Sequence, residues 1–257
     1  MTDETTPAET ESNQPSLIKL SASSVKTYST CPRKYYLQYI EKAPKKQWPH
    51  FDLGNLCHHT LEGFHKHFLT TKYTKASSGK VMSDCFAKAR EEYPNLLNEL
   101  VIEAKAMLND YLHNIHANGM PNVRFCEQPF EFEIAPDVMV RGYIDRLDIT
   151  KTGQHRIIDY KTTKSAQYLD PFQLLIYGLW LRREFPDIQE FTAAYVLLRH
   201  KSKLKDYSFN LEDLDDAQAK LIEYADTLRT ENTWITIPSK LCNYCDFKGI
   251  CPAQEAW

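Results

Sequence analysis

The sequence predicts an α/β or α+β fold built on one central sheet, and three features of the chain point to it. Apolar residues recur at helical spacing through most of residues 21–116. Side chains then alternate, strand-like, between residues 124 and 161. A helix signal at Asp170-Pro171 follows, with renewed strand character from Phe191. No segment of the chain repeats another.

Taken in order, residues 1–16 are polar and acidic, with Asp3, Glu4, Glu9 and Glu11, and are expected to form a disordered tail. Serines at 21, 23 and 24 offer helix caps. Val25, Tyr28, Cys31, Tyr35 and Tyr36 follow at helical spacings, with Pro32 starting a second short helix after a break. Pro44 and Pro49 mark residues 42–49 as a loop. Residues 53–69 read as a helix with Leu56, Leu61, Phe64 and Phe68 on its apolar side. A polar loop is expected over residues 72–81, around Ser77-Ser78-Gly79. Residues 82–116 are again helical, broken at Pro94, and Leu97, Leu100, Val101, Ala104, Leu108 and Leu112 supply the second helix's stripe.

Residues 125–134 alternate through Phe130, Phe132 and Ile134, and Pro136-Asp137 turns the chain. Residues 140–149 and 157–161 then form a hairpin reversed at Lys151-Thr152-Gly153. Asp170 as N-cap and Pro171 at the first helical position open a helix that runs to Phe185. Residues 191–198 read as a buried strand, 207–211 as a short edge strand, and 213–232 as an amphipathic helix with Ala217, Leu221, Tyr224, Ala225 and Leu228 inward. Residues 238–257 are irregular and cysteine-bearing.

A hydrophobic share of 42% and a charged share of 25% place the chain among soluble globular proteins, and 257 residues leave ample room for a core. No apolar run approaches a membrane span and no signal-peptide core opens the chain, so a cytoplasmic protein with no membrane partner is expected. The net charge of −3 does not advertise nucleic-acid binding. Beyond the acidic tail, however, Lys19, Lys26, Arg33, Lys34, Lys42, Lys45 and Lys46 are opposed only by Glu41, a local patch able to attract phosphate. Gly79-Lys80 is followed by Val81 and lacks an upstream glycine, so no Walker-type phosphate loop and no motor are present.

The chemistry concentrates in the central hairpin. Asp159 and Lys161 are two apart on one strand and leave it on one face, and Asp145 approaches from the neighbouring strand. Two carboxylates beside one ammonium are expensive to desolvate without a ligand. A divalent cation between the carboxylates, with a scissile phosphate beside the lysine, compensates the grouping; a solvated cross-face pair is the plainer reading. His58, one helical turn from Glu62, can add an imidazole to make a three-ligand set for Mg²⁺ or Mn²⁺. Gln173 and Tyr177, also one turn apart, can hydrogen-bond a phosphate or stack on a sugar or base.

In this order the pieces resemble the PD-(D/E)XK nuclease superfamily, in particular its RecB-like branch. That branch includes the AddB-type nuclease domains, exonuclease V and the CRISPR-associated RecB-like exonucleases. The resemblance rests on Ser23-x₄-Tyr28-x₂-Cys31-Pro-Arg-Lys-Tyr35, Gly54-x₃-His58, Gly142-Tyr-Ile-Asp145-Arg, Asp159-Tyr-Lys161 and Gln173-x₃-Tyr177. It implies a restriction-endonuclease-like core, a central mixed sheet flanked by helices. It further implies that His58, Asp145, Asp159 and the Tyr160 backbone carbonyl hold the metal. Lys161 would position the attacking water and stabilise charge on the phosphate, and Gln173 and Tyr177 would hold the DNA strand. His59 is the second candidate for the ligand role, but its spacing from Gly54 favours His58.

Cys242-x₂-Cys245-x₅-Cys251-Pro is one thiolate short of a tetrahedral site, and Cys31 within the family-like motif is the natural fourth. Such a set holds either structural Zn²⁺ or an iron–sulfur cluster, and the resemblance points to [4Fe–4S]. It would staple the two ends of the chain across a loop of about two hundred residues. Residues 21–50 and 233–252 would then form an iron–sulfur lobe within a nuclease domain spanning 17–252, with 253–257 as a C-terminal tail. Arg33 and Lys34 beside the cluster are expected to contact DNA. The remaining cysteines, Cys57, Cys85 and Cys126, read as small core residues. The function implied is a metal-dependent DNA nuclease, an exonuclease on single strands or DNA ends. The alternative is a partner-dependent DNA-end processing module of a helicase–nuclease or CRISPR adaptation complex. Alanine at Asp145, Asp159 or Lys161 is expected to abolish cleavage and leave the fold intact.

Overall fold

Six strands form one mixed sheet whose hub is β3 (Val138–Ile149). One edge of β3 pairs antiparallel along its whole length with β2 (Val123–Ala135), across the turn at Pro136-Asp137. The other edge is shared between two strands. Residues 138–140 run parallel to β1 (Ile18–Leu20), and residues 146–149 run antiparallel to β4 (His155–Lys161). Residues 141–145 pair with neither, so the sheet forks between β3 and β4. Beyond β4 lie β5 (Glu190–Leu197), parallel to it, and then β6 (Lys203–Asn210), antiparallel at the margin. This structure, a computed structural model, describes residues 17–46 and 48–253; the expected acidic tail and residues 254–257 lie outside them.

Helices cover both faces. On one side lie α3 (Pro49–Thr70), α4 (Lys75–Arg90) and α5 (Asn98–Asn118). Their Leu56, Leu61, Phe64 and Leu108 pack with Ile158, Tyr160, Ala194 and Val196 of the sheet. On the other side lie α1 (Ala22–Thr30), α6 (Phe172–Glu184) and α7 (Leu211–Thr230). Here Val25, Leu174, Trp180 and Leu221 meet Ile157, Ala193, Tyr195 and Leu197. The strict odd and even division of β4 and β5 between the two cores is the period-two geometry of a strand. Between β4 and β5 the chain crosses through α6, as a parallel pair requires. A short helix, α2 (Pro32–Tyr35), follows α1 and continues as a π-helical turn over Tyr36–Ile40. No helix among the described residues is long and apolar enough to cross a membrane.

The central mixed sheet between helices matches the expected plan, with local corrections. Residues 75–81 are not loop but the first turns of α4. Thr74 caps that helix by accepting the Ser77 N–H, and Ser78 is buried with its hydroxyl 2.8 Å from His116 Nε2. The polar run is the solvent face of a helix. Leu97 belongs to no stripe; it precedes α5 and is exposed. The helix after the hairpin begins at Phe172 with Pro171 at its cap position, although Asp170 still accepts the Phe172 N–H at 2.9 Å. β6 starts at Lys203, four residues before the expected edge strand. β1 was not anticipated, because three residues carry too little alternation to register.

Candidate active site

The fork decides what the site residues do. Tyr160 turns its backbone N–H and C=O toward the place where β3 has left the ladder. Asp145 Oδ2 accepts that N–H at 2.7 Å, so a side chain takes the role of a strand partner. His58 Nε2 of α3 donates to the carbonyl at 2.9 Å, and its Nδ1 lies 3.3 Å from Asp145 Oδ2. α3 comes this close because Gly54 has no side chain; a Cβ there would sit 3.3 Å from Thr162 Oγ1, just past the end of β4. Gly142 plays the same part within the sheet, since a Cβ would press to 2.8 Å on the ring of Phe130 opposite it.

Asp159, 1% exposed, is held from the α6 side. Lys161 Nζ lies 2.7 Å from its Oδ2 and also donates to Gln173 Oε1 at 3.0 Å. Gln173 Nε2 donates to Asp159 Oδ1 at 2.7 Å and to the Tyr177 hydroxyl at 2.6 Å. Seven residues read from the sequence therefore converge: His58, Asp145, Asp159, Tyr160, Lys161, Gln173 and Tyr177. All but Tyr160 line a groove of about 1260 Å³ whose other walls include Ser23 and Lys26 of α1, Arg141 and Tyr143 of β3, and Lys220 of α7.

Sequence reasoning missed Glu127. It lies on β2 opposite Asp145, between the pairs Cys126–Arg146 and Gln128–Ile144. His58, Glu127 and Asp145 each bring a ligand atom to within 4.8 Å of the others, the one such group of three or more among the described residues. Glu127 adopts a left-handed backbone, φ 49°, in mid-strand. The irregularity shows in the packing: Phe125 and Phe130 both face the α6 core although five residues apart, which plain alternation forbids.

The charges are coupled through short distances. Burial opposes a charged imidazole, but the carboxylates of Asp145 and Asp159 outweigh it and raise His58 to about 9. Burial would likewise raise Asp145, yet His58, Lys161 and the Tyr160 N–H together hold it below its ordinary value. Asp159 is pushed up to about 6, by burial first and the Asp145 charge next, against the pull of Lys161. Burial and Asp145 also lift Glu127 to about 7. The ensemble stores negative charge that His58 balances by keeping its proton. A divalent cation fits the imidazole and carboxylates of His58, Glu127 and Asp145, whose ligand atoms lie within 4.8 Å of one another, while Asp159 falls outside that group.

Directly behind the site, on the α3–α5 side, lies a buried hydrogen-bonded network. The Arg146 guanidinium makes two 2.8 Å bonds to the Asp148 carboxylate and donates to the hydroxyls of Tyr160, at 2.6 Å, and Tyr111. His65 Nε2 sits 2.6 Å from the Tyr111 hydroxyl. All five residues are buried.

Other expected site residues lie elsewhere. His59 turns to Glu92 at 3.0 Å and Tyr93 at 3.2 Å, and Glu62 pairs with Lys66 at 2.5 Å. Arg33 and Lys34 do not line the groove. Arg33 lies over the Tyr36 ring and its backbone N–H donates to Ile235 O. Lys34 is close enough to Cys245 to act on its thiol. Cys31, Cys242, Cys245 and Cys251 are unbridged and half-buried. Backbone bonds from Cys245 N to Cys242 O, Lys248 N to Cys245 O and Cys251 N to Lys248 O set the last three on successive three-residue turns. The turns are tied to the N-terminal half by Trp48 Nε1, which donates to Asp246 at 2.7 Å. Cys57 and Cys126 are buried, as expected of core cysteines, and Cys85 is half-buried.

Comparison with known proteins places the chain. A segment of an ATP-dependent helicase/deoxyribonuclease subunit from Clostridioides difficile is 27% identical over 200 residues, covering 63% of this chain and 17% of that protein. The subunit of the same name from Streptococcus pyogenes serotype M1 is 24% identical over 215 residues, covering 76% of this chain and 20% of its own. The chain thus spans about a fifth of the length of these relatives. A solved structure from Eubacterium rectale, of a protein provisionally designated an exonuclease, superposes with a TM-score of 0.50. It is 11% identical, with 94% of this chain and 98% of that one covered, a likeness of fold. The family model described as the PD-(D/E)XK nuclease superfamily matches residues 19–252, and the chain belongs to that superfamily.

Proposed function

We propose that this chain is a divalent-metal-dependent deoxyribonuclease, an exonuclease acting on single-stranded DNA or DNA ends. The observation that carries the reading is the convergence of His58, Asp145, Asp159 and Lys161 from three elements onto one groove. His58, Asp145, Asp159 and the Tyr160 carbonyl would hold Mg²⁺ or Mn²⁺. When bound, the cation supplies Lewis-acid polarisation of a phosphate and a more acidic water. Lys161, fixed between Asp159 and Gln173, presents its ammonium at the groove, where it orients the water and meets charge growing on the phosphate. Gln173 and Tyr177 keep Asp159 in one orientation and offer polar atoms to the incoming strand. The test is cleavage of 5′- and 3′-labelled single strands with added Mn²⁺: wild type cuts and Asp159→Asn does not. Equal cutting by both removes the assignment.

A second reading concerns dependence on a partner. The relatives are subunits of a helicase/deoxyribonuclease by name, and this chain corresponds to about a fifth of their length, which favours a nuclease module working beside a helicase. No cutting by the isolated chain, restored on adding such a motor, favours the module.

The four cysteines are read as a [4Fe–4S] staple. A tetrahedral Zn²⁺ site with Zn–S bonds of about 2.3 Å needs its sulfurs under about 4 Å apart. What supports the cluster over the single ion is the pattern of Cys31 with Cys242-x₂-Cys245-x₅-Cys251, which resembles the iron–sulfur staple of the AddB-type enzymes. Visible absorbance of the purified protein distinguishes the two.

A further inference from the structure

Glu127 is half-buried beside Asp145, and its carboxylate makes no hydrogen bond or ion pair with any described residue. Every other acid at this end of the sheet is occupied: Asp145 by the Tyr160 N–H and His58, Asp159 by Lys161, Gln173 and Tyr177, Glu131 by Lys19. Two adjacent carboxylates in a partly desolvated setting repel each other unless a cation lies between them. The left-handed turn at Glu127 takes it out of the alternation of β2, and the register sets it opposite Asp145.

We propose that Glu127 is a direct ligand of the divalent cation, on the far side of Asp145 from Asp159. Asp145 is then the shared centre of the donor set, approached by His58 and Glu127 from α3 and β2, and by Asp159 and the Tyr160 carbonyl from β4. Hard cations take oxygen ligands in numbers that leave room for a further carboxylate. Asp159, whose two oxygens already serve Lys161 and Gln173, shares the charge with Glu127. This inference rests on the metal-dependent reading above only for the presence of a cation.

The test is Mn²⁺ binding to the full chain without DNA, by calorimetric titration and by the paramagnetic resonance spectrum of the bound ion. Glu127→Gln keeps the size and removes the charge, and is expected to weaken Mn²⁺ at least about tenfold and alter the bound spectrum. Glu127→Asp, the safer variant if Gln disturbs the strand, is expected to weaken binding less, with melting in chelator unchanged. Mn²⁺ affinity within about twofold of wild type in both variants, or an unaltered spectrum, overturns the assignment. Cleavage of single strands by the same proteins separates the two claims. A wild type that binds Mn²⁺ but cuts nothing, with or without an added helicase, sinks the nuclease reading and leaves Glu127 a ligand. A Glu127→Gln protein that binds and cuts like wild type does the reverse.

Discussion

Asp145 and Arg146 are neighbours on β3, and Asp159 and Tyr160 are neighbours on β4, yet each pair divides between two regions of opposite character. The groove side holds Asp145, Asp159, Glu127 and Lys161, with more acid than base and one carboxylate that makes no hydrogen bond or ion pair among the described residues. The α3–α5 side holds Arg146, Asp148, Tyr160, Tyr111 and His65 in a connected set of hydrogen bonds that, among the described residues, leaves only His65 Nδ1 without a partner. The first is poised to take up a cation; the second fixes the strands that present it. Buried polar groups stabilise when fully satisfied and are reactive when they are not.

The contrast breaks or sharpens under substitution. The largest effect is expected at Asp159→Asn and Lys161→Ala, each lowering cleavage by about 10³-fold. The melting temperature holds or rises in Asp159→Asn, where like charge is relieved, and falls modestly in Lys161→Ala, which takes the cation from Asp159. A large fall in melting temperature would mean that the groove side is structural after all. Arg146→Met should do the opposite, costing about 3–5 kcal/mol in denaturant unfolding because Asp148 is left buried and unpaired. Adding Asp148→Leu should recover part of that loss, and failure to do so would deny that the pair is self-contained. Gly178→Ala probes the α6 core instead, where a Cβ would collide with Phe191 and sit 2.8 Å from Leu214. Overpacking of this kind costs about 1–3 kcal/mol with cleavage unchanged at low temperature.

The smallest effect is at Glu231, which accepts from Tyr28, Thr233 and the Trp234 N–H and so binds α1 to the C-terminal segment. Its hydrogen bonds, those from Thr233 foremost, hold its carboxyl at about 2, below the ordinary 4.5. A depressed carboxylate contributes stability above pH 4.5 and loses it as pH falls toward 2. Glu231→Gln should therefore melt earlier than wild type at neutral pH, the gap narrowing across that window.

Much of this was legible in the chain. Gly54-x₃-His58 and Asp159-x-Lys161 carry spacings that a helix and a strand convert directly into shared faces, and both resolved as read. Glu127 was not legible, because its position depends on the register between β2 and β3 and on a left-handed residue that no period announces. Arg146 was hidden for another reason. A charge next to a site residue reads as solvated until the partners that bury it, Tyr111 and His65, arrive from distant helices. The start of α4 was missed because a polar helical surface and a loop share a composition.

The side chain that props the fork open bears on how an inactive protein should be made. Alanine at Asp145 would leave the Tyr160 amide hydrogen facing the gap with nothing to accept it, and local unravelling would then be mistaken for lost chemistry. Asparagine keeps an oxygen in the same place. Comparing the two, by melting as well as by activity, separates what that oxygen does for the backbone from what its negative charge does for the substrate.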